Sequence, residues 1–178
     1  MVTAQPSGER DIPFAWHCLA SVLDPEVPVL SIVELGIVRE VALAPDGFVV
    51  TITPTYSGCP ALEAIVTDIE SAFAQQGAHA TIATVLAPAW STDWIAPEAL
   101  ARLRTYGIAP PHTATLRTSS SRVDVAGISP LRRRTNPVAC PRCASTHTEL
   151  VAQFGSTACK ALYRCTDCAE PFDYMKPH

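Results

Sequence analysis

Apolar positions follow two different periods along the first hundred or so residues. Between Asp11 and Leu23, the residues Ile12, Trp16, Leu19 and Leu23 recur at helical spacing, and Pro13 suits a first turn. Asp24-Pro-Glu-Val-Pro28 ends that pattern, because proline lacks the amide hydrogen a helix needs and restricts the residue before it. Ile37 to Leu43 and Phe48 to Thr53 are rich in β-branched residues, and Pro45-Asp-Gly47 between them predicts a hairpin turn. From Pro60 to Gln76 the helical period is clearest: Leu62, Ile65, Val66, Ile69 and Phe73 form one stripe, and Gly77 is a natural stop. Thr81 to Leu86 reads as a third strand. A last helix runs from Pro97 to Gly107, with Leu100 and Leu103 on one face. The order α-β-β-α-β-α predicts an α+β fold, a small mixed sheet with its helices on one face.

After Ile108 the periodicity dissolves. Pro110-Pro111, Ser119-Ser-Ser121 and Arg132-Arg-Arg134 mark a connecting segment over 108–137. The three arginines are either a solvated run or a dock for an acidic partner or a CoA phosphate. Strand-like runs then return in Glu149-Leu-Val-Ala-Gln-Phe154 and Lys160-Ala-Leu-Tyr-Arg164. The domain reading is therefore 1–107, a linker over 108–137, and a second module over 138–178.

That last module carries the strongest chemical signal in the chain. Cys140-Pro-Arg-Cys143 and Cys165-Thr-Asp-Cys168 are separated by 21 residues. Two C-x-x-C pairs can place four thiolates around one ion, usually zinc. The segment is too short to bury a sufficient core unaided, so Cys140, Cys143, Cys165 and Cys168 are expected to hold a structural zinc in a β zinc ribbon. A four-thiolate site is closed and has no open position for catalysis. His147 is a spare nitrogen near the set.

With 48% hydrophobic residues the chain can bury a real core, and its net charge of -4 argues against nucleic acid as the partner. No stretch reaches the length of a membrane span, and the first ten residues lack the apolar core of a secretory signal. A cytoplasmic protein is expected, with its seven cysteines reduced. There is no G-x-S-x-G, no H-E-x-x-H and no phosphate-binding glycine loop, so no activity of the chain's own is expected.

Three cysteines fall outside the paired motifs. Cys18 sits in the first helix and is expected in the core. Cys59 joins the second strand to the main helix in Thr53-Pro-Thr-Tyr-Ser-Gly-Cys59-Pro60. If Pro60 opens the helix, Cys59 is its N-cap, where the dipole and free amides lower a thiol pKa. A metal ligand, a nucleophile and a buried structural thiol all fit that position. Cys159 follows a Gly-Ser-Thr turn that could present it at a surface; packing and function are equally open. Asp24 and Glu26 form either an acidic site or a helix stop.

In order along the chain, Asp24-Pro-Glu-Val-Pro28, Leu35-Gly-Ile-Val38, the Thr53–Pro60 segment and Ala87-Pro-Ala-Trp90 resemble the motifs of the small iron–sulfur cluster assembly domain. The likeness covers about residues 10 to 107. Cys140-Pro-Arg-Cys143, the Phe154–Cys165 segment and Glu170-Pro-Phe-Asp-Tyr174 narrow it, resembling the D-subunit family of bacterial phenylacetyl-CoA epoxidase systems. The usual Pro-Pro-Trp of the assembly domain is Ala87-Pro88-Ala89-Trp90 here. The resemblance implies an accessory or maturation role in aerobic phenylacetate degradation. The implied partners are a di-iron oxygenase and an iron–sulfur reductase, and the implied cargo is iron or a transient iron–sulfur cluster. It makes Cys59, Asp24 and Glu26 the candidate iron-handling residues. Cys159 joins them because cluster ligands are thiolates and the ribbon uses the other four; a homodimer would supply enough ligands. The chain lacks a di-iron carboxylate set and a dinucleotide fingerprint, so neither the oxygenation nor the reduction is its own step. The competing readings are an architectural subunit with zinc for folding only, and a thiol enzyme using Cys59.

Overall fold

The computed structural model describes residues 11–112 and 137–178. They divide at Ala99/Leu100 into two compact units.

The first unit opens with α1 (Ile12–Ala20). Asp11 caps it, its Oδ1 accepting the Phe14 amide at 2.9 Å. Ala15, Cys18 and Leu19 are buried, so Cys18 is a core residue. The helix stops at Ala20, where the Ser21 hydroxyl and amide both donate to the Cys18 carbonyl. Leu23 therefore leaves the helical stripe to which its spacing assigns it, and forms a bridge with Ser31. Asp24 Oδ1 accepts the amides of Glu26 and Val27 at 2.9 and 2.8 Å, which fixes the acidic turn.

β1 (Val38–Ala44) and β2 (Gly47–Ile52) form the expected hairpin, and β3 (Ala80–Thr84) lies parallel to β2. The sheet order β1-β2-β3 makes it mixed. Along β2, Phe48, Val50 and Ile52 are buried while Val49 and Thr51 are half-buried, the alternation of a sheet covered on one face. α2 (Leu62–Gln75) supplies part of the cover through Ile65, Ile69 and Phe73, spaced four apart. Fully burying each such side chain stabilises the fold by about 1.5–3 kcal/mol. The Phe48 ring lies 6.0 Å from that of Phe14 on α1 and 5.4 Å from that of Phe73, so both helices meet the same face.

The loops at one end of this sheet are tied together. The Thr53 amide donates to Ile37 O, the Trp90 indole to Leu35 O at 2.9 Å, and the Ala96 amide to Glu34 O. Gly36 has φ 68°, and a Cβ there would stand 2.6 Å from Trp94 Cβ. Only glycine allows Trp94 to close so tightly. The Arg39 guanidinium lies 3.4 Å from the centre of the Trp94 ring.

α3 (Pro97–Tyr106) crosses the boundary between the units. In the second unit β4 (Ile108–Ala109), β5 (Thr148–Ala152), β6 (Lys160–Cys165) and β7 (Pro171–Met175) make a sheet ordered β4-β7-β6-β5. Ala109, Val138, Cys140, Ala161, Cys165, Phe172 and Tyr174 form its core. Two features depart from the sequence reading. Ile108–Ala109 falls in the stretch that reads as linker, yet it pairs with β7 and is buried. Two residues carry no period to read, and the prolines that follow dominate the local pattern. The strand Pro171–Met175 is visible in the sequence only as a motif, because its leading proline masks the strand signal. The Ser119–Ser121 and Arg132–Arg134 runs lie outside the described residues.

Candidate functional site

The two cysteine pairs are built alike. In the first, the Cys140 amide donates to Ser145 O and the Ala144 amide to Cys140 O, with Ala144 at φ 62°. In the second, the Cys165 amide donates to Glu170 O, with Ala169 at φ 61°. Each chain reversal thus passes through a left-handed residue directly after its second cysteine. Side chains cross between the two turns: Arg142 Nη1 to Glu170 Oε2 at 2.7 Å, and the Ser145 hydroxyl to Asp167 Oδ2 at 2.5 Å. The His147 ring lies 3.2 Å from Asp167 Oδ1, so it braces the turn and does not join the sulfurs.

The four sulfurs lie within 4.8 Å of one another. Cys140 to Cys168 is 3.8 Å and Cys143 to Cys165 is 3.6 Å. Zinc–sulfur bonds of about 2.3 Å in a tetrahedron require sulfur separations of about 3.8 Å. The donor set therefore fits zinc in both chemistry and spacing. The Cys168 and Asp167 amides, with the Cys143 and Cys168 thiols, pull Cys165 down to about 7. At Cys143 the Ser145 amide favours the thiolate, but burial and the other three thiols push the group up to about 12. The proton therefore leaves Cys165 more readily than Cys143. Only a cation makes four thiolates tolerable at this distance.

Cys59 occupies a different setting. α2 begins at Leu62, and its cap residue is Ala61, which makes no side-chain capping bond. Cys59 is thus not the N-cap: the chain makes a further turn first, with the Cys59 amide donating to Tyr56 O and the Leu62 amide to Cys59 O. The expected lowering of its pKa is overturned. Burial pushes the thiol up, and the Glu26 and Asp24 charges push it further; the Ala61 amide and the Thr55 hydroxyl oppose them. The structure thus brings Asp24 and Glu26 near Cys59 at the end of the sheet. Among the described residues, the ribbon cysteines form the ligand set that converges; Cys59, Asp24 and Glu26 do not make a second one as tight.

Cys159 lies in the other unit and is 5% exposed. Its sulfur is 3.1 Å from Thr157 Oγ1. Of the two placements the sequence left open, a surface position and packing, the thiol is buried, with Thr157 against it. Sequence reasoning missed Thr55, which is buried and hydrogen-bonds the Cys59 sulfur. It also missed Thr53, whose buried hydroxyl has no partner among the described residues. The only signal for either was membership of the Thr53–Pro60 segment.

Comparison with known proteins matches the two parts of the chain to two family models. Residues 15–85 match the family model for iron-sulfur cluster assembly proteins, and residues 127–176 match that for the PaaD zinc beta ribbon domain. A Porphyromonas gingivalis Fe-S protein maturation auxiliary factor is 37% identical over 90 residues, covering 48% of this chain and 83% of that protein. A crystal structure of a DUF59 domain from Bacillus anthracis is 28% identical, covers 51% of this chain and 89% of its own, and superposes with a TM-score of 0.48. An Escherichia coli K12 protein, named as the putative D subunit of 1,2-phenylacetyl-CoA epoxidase, is 48% identical over 162 residues, 90% of each chain. The chain belongs to that D-subunit family, an iron–sulfur assembly domain joined to a zinc ribbon. Among the described residues no helix is long and apolar enough to cross a membrane.

Proposed function

We propose that this protein is a cytoplasmic accessory factor of a phenylacetyl-CoA epoxidase system, and that it assists assembly of iron or iron–sulfur centres in the other subunits. The observation that carries the reading is the half-buried Cys59 thiol with the Asp24 and Glu26 carboxylates beside it. In the resting protein burial, with these charges adding to it, favours the protonated thiol. An arriving iron ion would neutralise them and displace the thiol proton to water. Thr55 orients the sulfur. The ribbon zinc serves folding, since its four thiolates leave no open position. Cys159 is covered, so a joint role with Cys59 would require its turn to open.

The second reading is an architectural subunit. It is favoured by the fact that the converging ligand set among the described residues is the ribbon's alone. Growth on phenylacetate separates the two. A Cys59→Ala chain that keeps its zinc should fail to support growth, and the partner subunits should be recovered deficient in iron. Normal growth with fully metallated partners would leave the architectural role.

A further inference from the structure

Among the described residues the ribbon sheet ends in an edge at β5, which pairs on one side only, with β6. This edge has an unusual composition. Leu150 is 48% exposed, Val151 55% and Phe154 67%, so large apolar side chains gather at one strand and the turn after it. Proteins ordinarily guard such edges with lysine, proline or a bulge that presents a charge. β5 does have a bulge, between Leu150 and Ala152, but the residue it frees from the β6 ladder is Val151.

The charges on this edge are arranged end to end. Glu149 lies near the start of β5, and its carboxylate has no partner among the described residues. At the other end Lys176 donates from Nζ to Gln153 O at 3.2 Å, and lies 4.4 Å from the centre of the Phe154 ring. Four residue steps lead from Glu149 to Gln153, just past the end of β5, about 13 Å at the rise of an antiparallel strand.

We infer that β5 is a homodimer interface, in which two copies pair their β5 edges antiparallel about a two-fold axis at Val151. That register sets Val151 against Val151 of the second copy and Leu150 against Ala152. It also sets Glu149 opposite Gln153, where Lys176 is held. A second copy satisfies both ends at once, because the edge carries an anion at one end and a cation at the other. The apolar centre and charged rim match the anatomy of a protein interface. The pairing extends the sheet from four strands to eight.

Sedimentation equilibrium on the zinc-loaded full chain tests this. The wild type should be dimeric at micromolar concentration, and Val151→Lys monomeric with its zinc intact. Glu149→Lys and Lys176→Glu should each weaken the dimer about tenfold or more, since like charges then face each other twice. An equimolar mixture of those two variants should dimerise again, because two lysines of one copy then face two glutamates of the other. If Val151→Lys loses its zinc, the charge pair decides alone. A monomeric wild type, variants as tightly dimeric as the wild type, or a mixture no tighter than its components would overturn the interface.

Discussion

Ala144 and Ala169 should be improved by replacement with glycine. Each holds a left-handed backbone, at φ 62° and 61°, in the turn that aims two thiolates at the metal. An L-residue pays roughly 1–2 kcal/mol there, because its Cβ crowds the following carbonyl. Glycine escapes that strain but loses about 0.5–1 kcal/mol more chain entropy on folding. The net gain is then about 0.5–1 kcal/mol per turn, or about 1–2 for both. Because metal binding and ribbon folding are coupled, the gain should be read as zinc affinity. The double variant Ala144→Gly/Ala169→Gly should bind zinc roughly 5- to 30-fold more tightly. Competition with a chelating indicator at fixed pH measures this, the pH being held because zinc displaces thiol protons. Equal or weaker binding would show that these turns are not strained, and that the paired-turn geometry does not set the site.

Three further outcomes follow from the same structure. Cys165→Ser should lose zinc and expose residues 137–178 to protease; retained stoichiometric zinc with protection would count against a structural metal. Alkylation of Cys59 in the metal-free protein should titrate above the ordinary thiol value of about 8.5, because burial and two carboxylates oppose the thiolate. Glu26→Gln should bring that midpoint down; a rate that already plateaus near neutral pH would refute the assignment. Gly36→Ala should destabilise the first unit by about 1–3 kcal/mol in urea, since its methyl group meets Trp94 from a left-handed position; an unchanged midpoint would show that this loop gives way.

The parts of the molecule that were legible in sequence are those where one period persists. The Ile65-Ile69-Phe73 stripe and the β1–β2 hairpin are where their patterns put them. The four ribbon cysteines were legible because C-x-x-C spacing is itself a geometric statement. What failed was local and short. Pro60 pointed to a helix start two residues early, because a proline suits a turn as well as a first helical position. That shift moved Cys59 off the helix end and reversed the sign of its pKa perturbation. Proximity of Asp24 and Glu26 to Cys59 has no sequence period at all. It depends on how separate loops fold, the acidic turn being fixed by its own hydrogen bonds between Asp24 and Glu26, Val27 and Leu30. Burial of Cys159 was likewise hidden, because a Gly-Ser-Thr turn does not say which way the next side chain faces.

Anaerobic isolation of the native chain, with zinc, iron and acid-labile sulfide measured per chain, tests the central claim most directly. The account predicts one zinc in every preparation, with iron or iron and sulfide in addition, the latter lost in Cys59→Ser while zinc stays. Zinc alone in the wild type, or iron retained undiminished in Cys59→Ser, would contradict it.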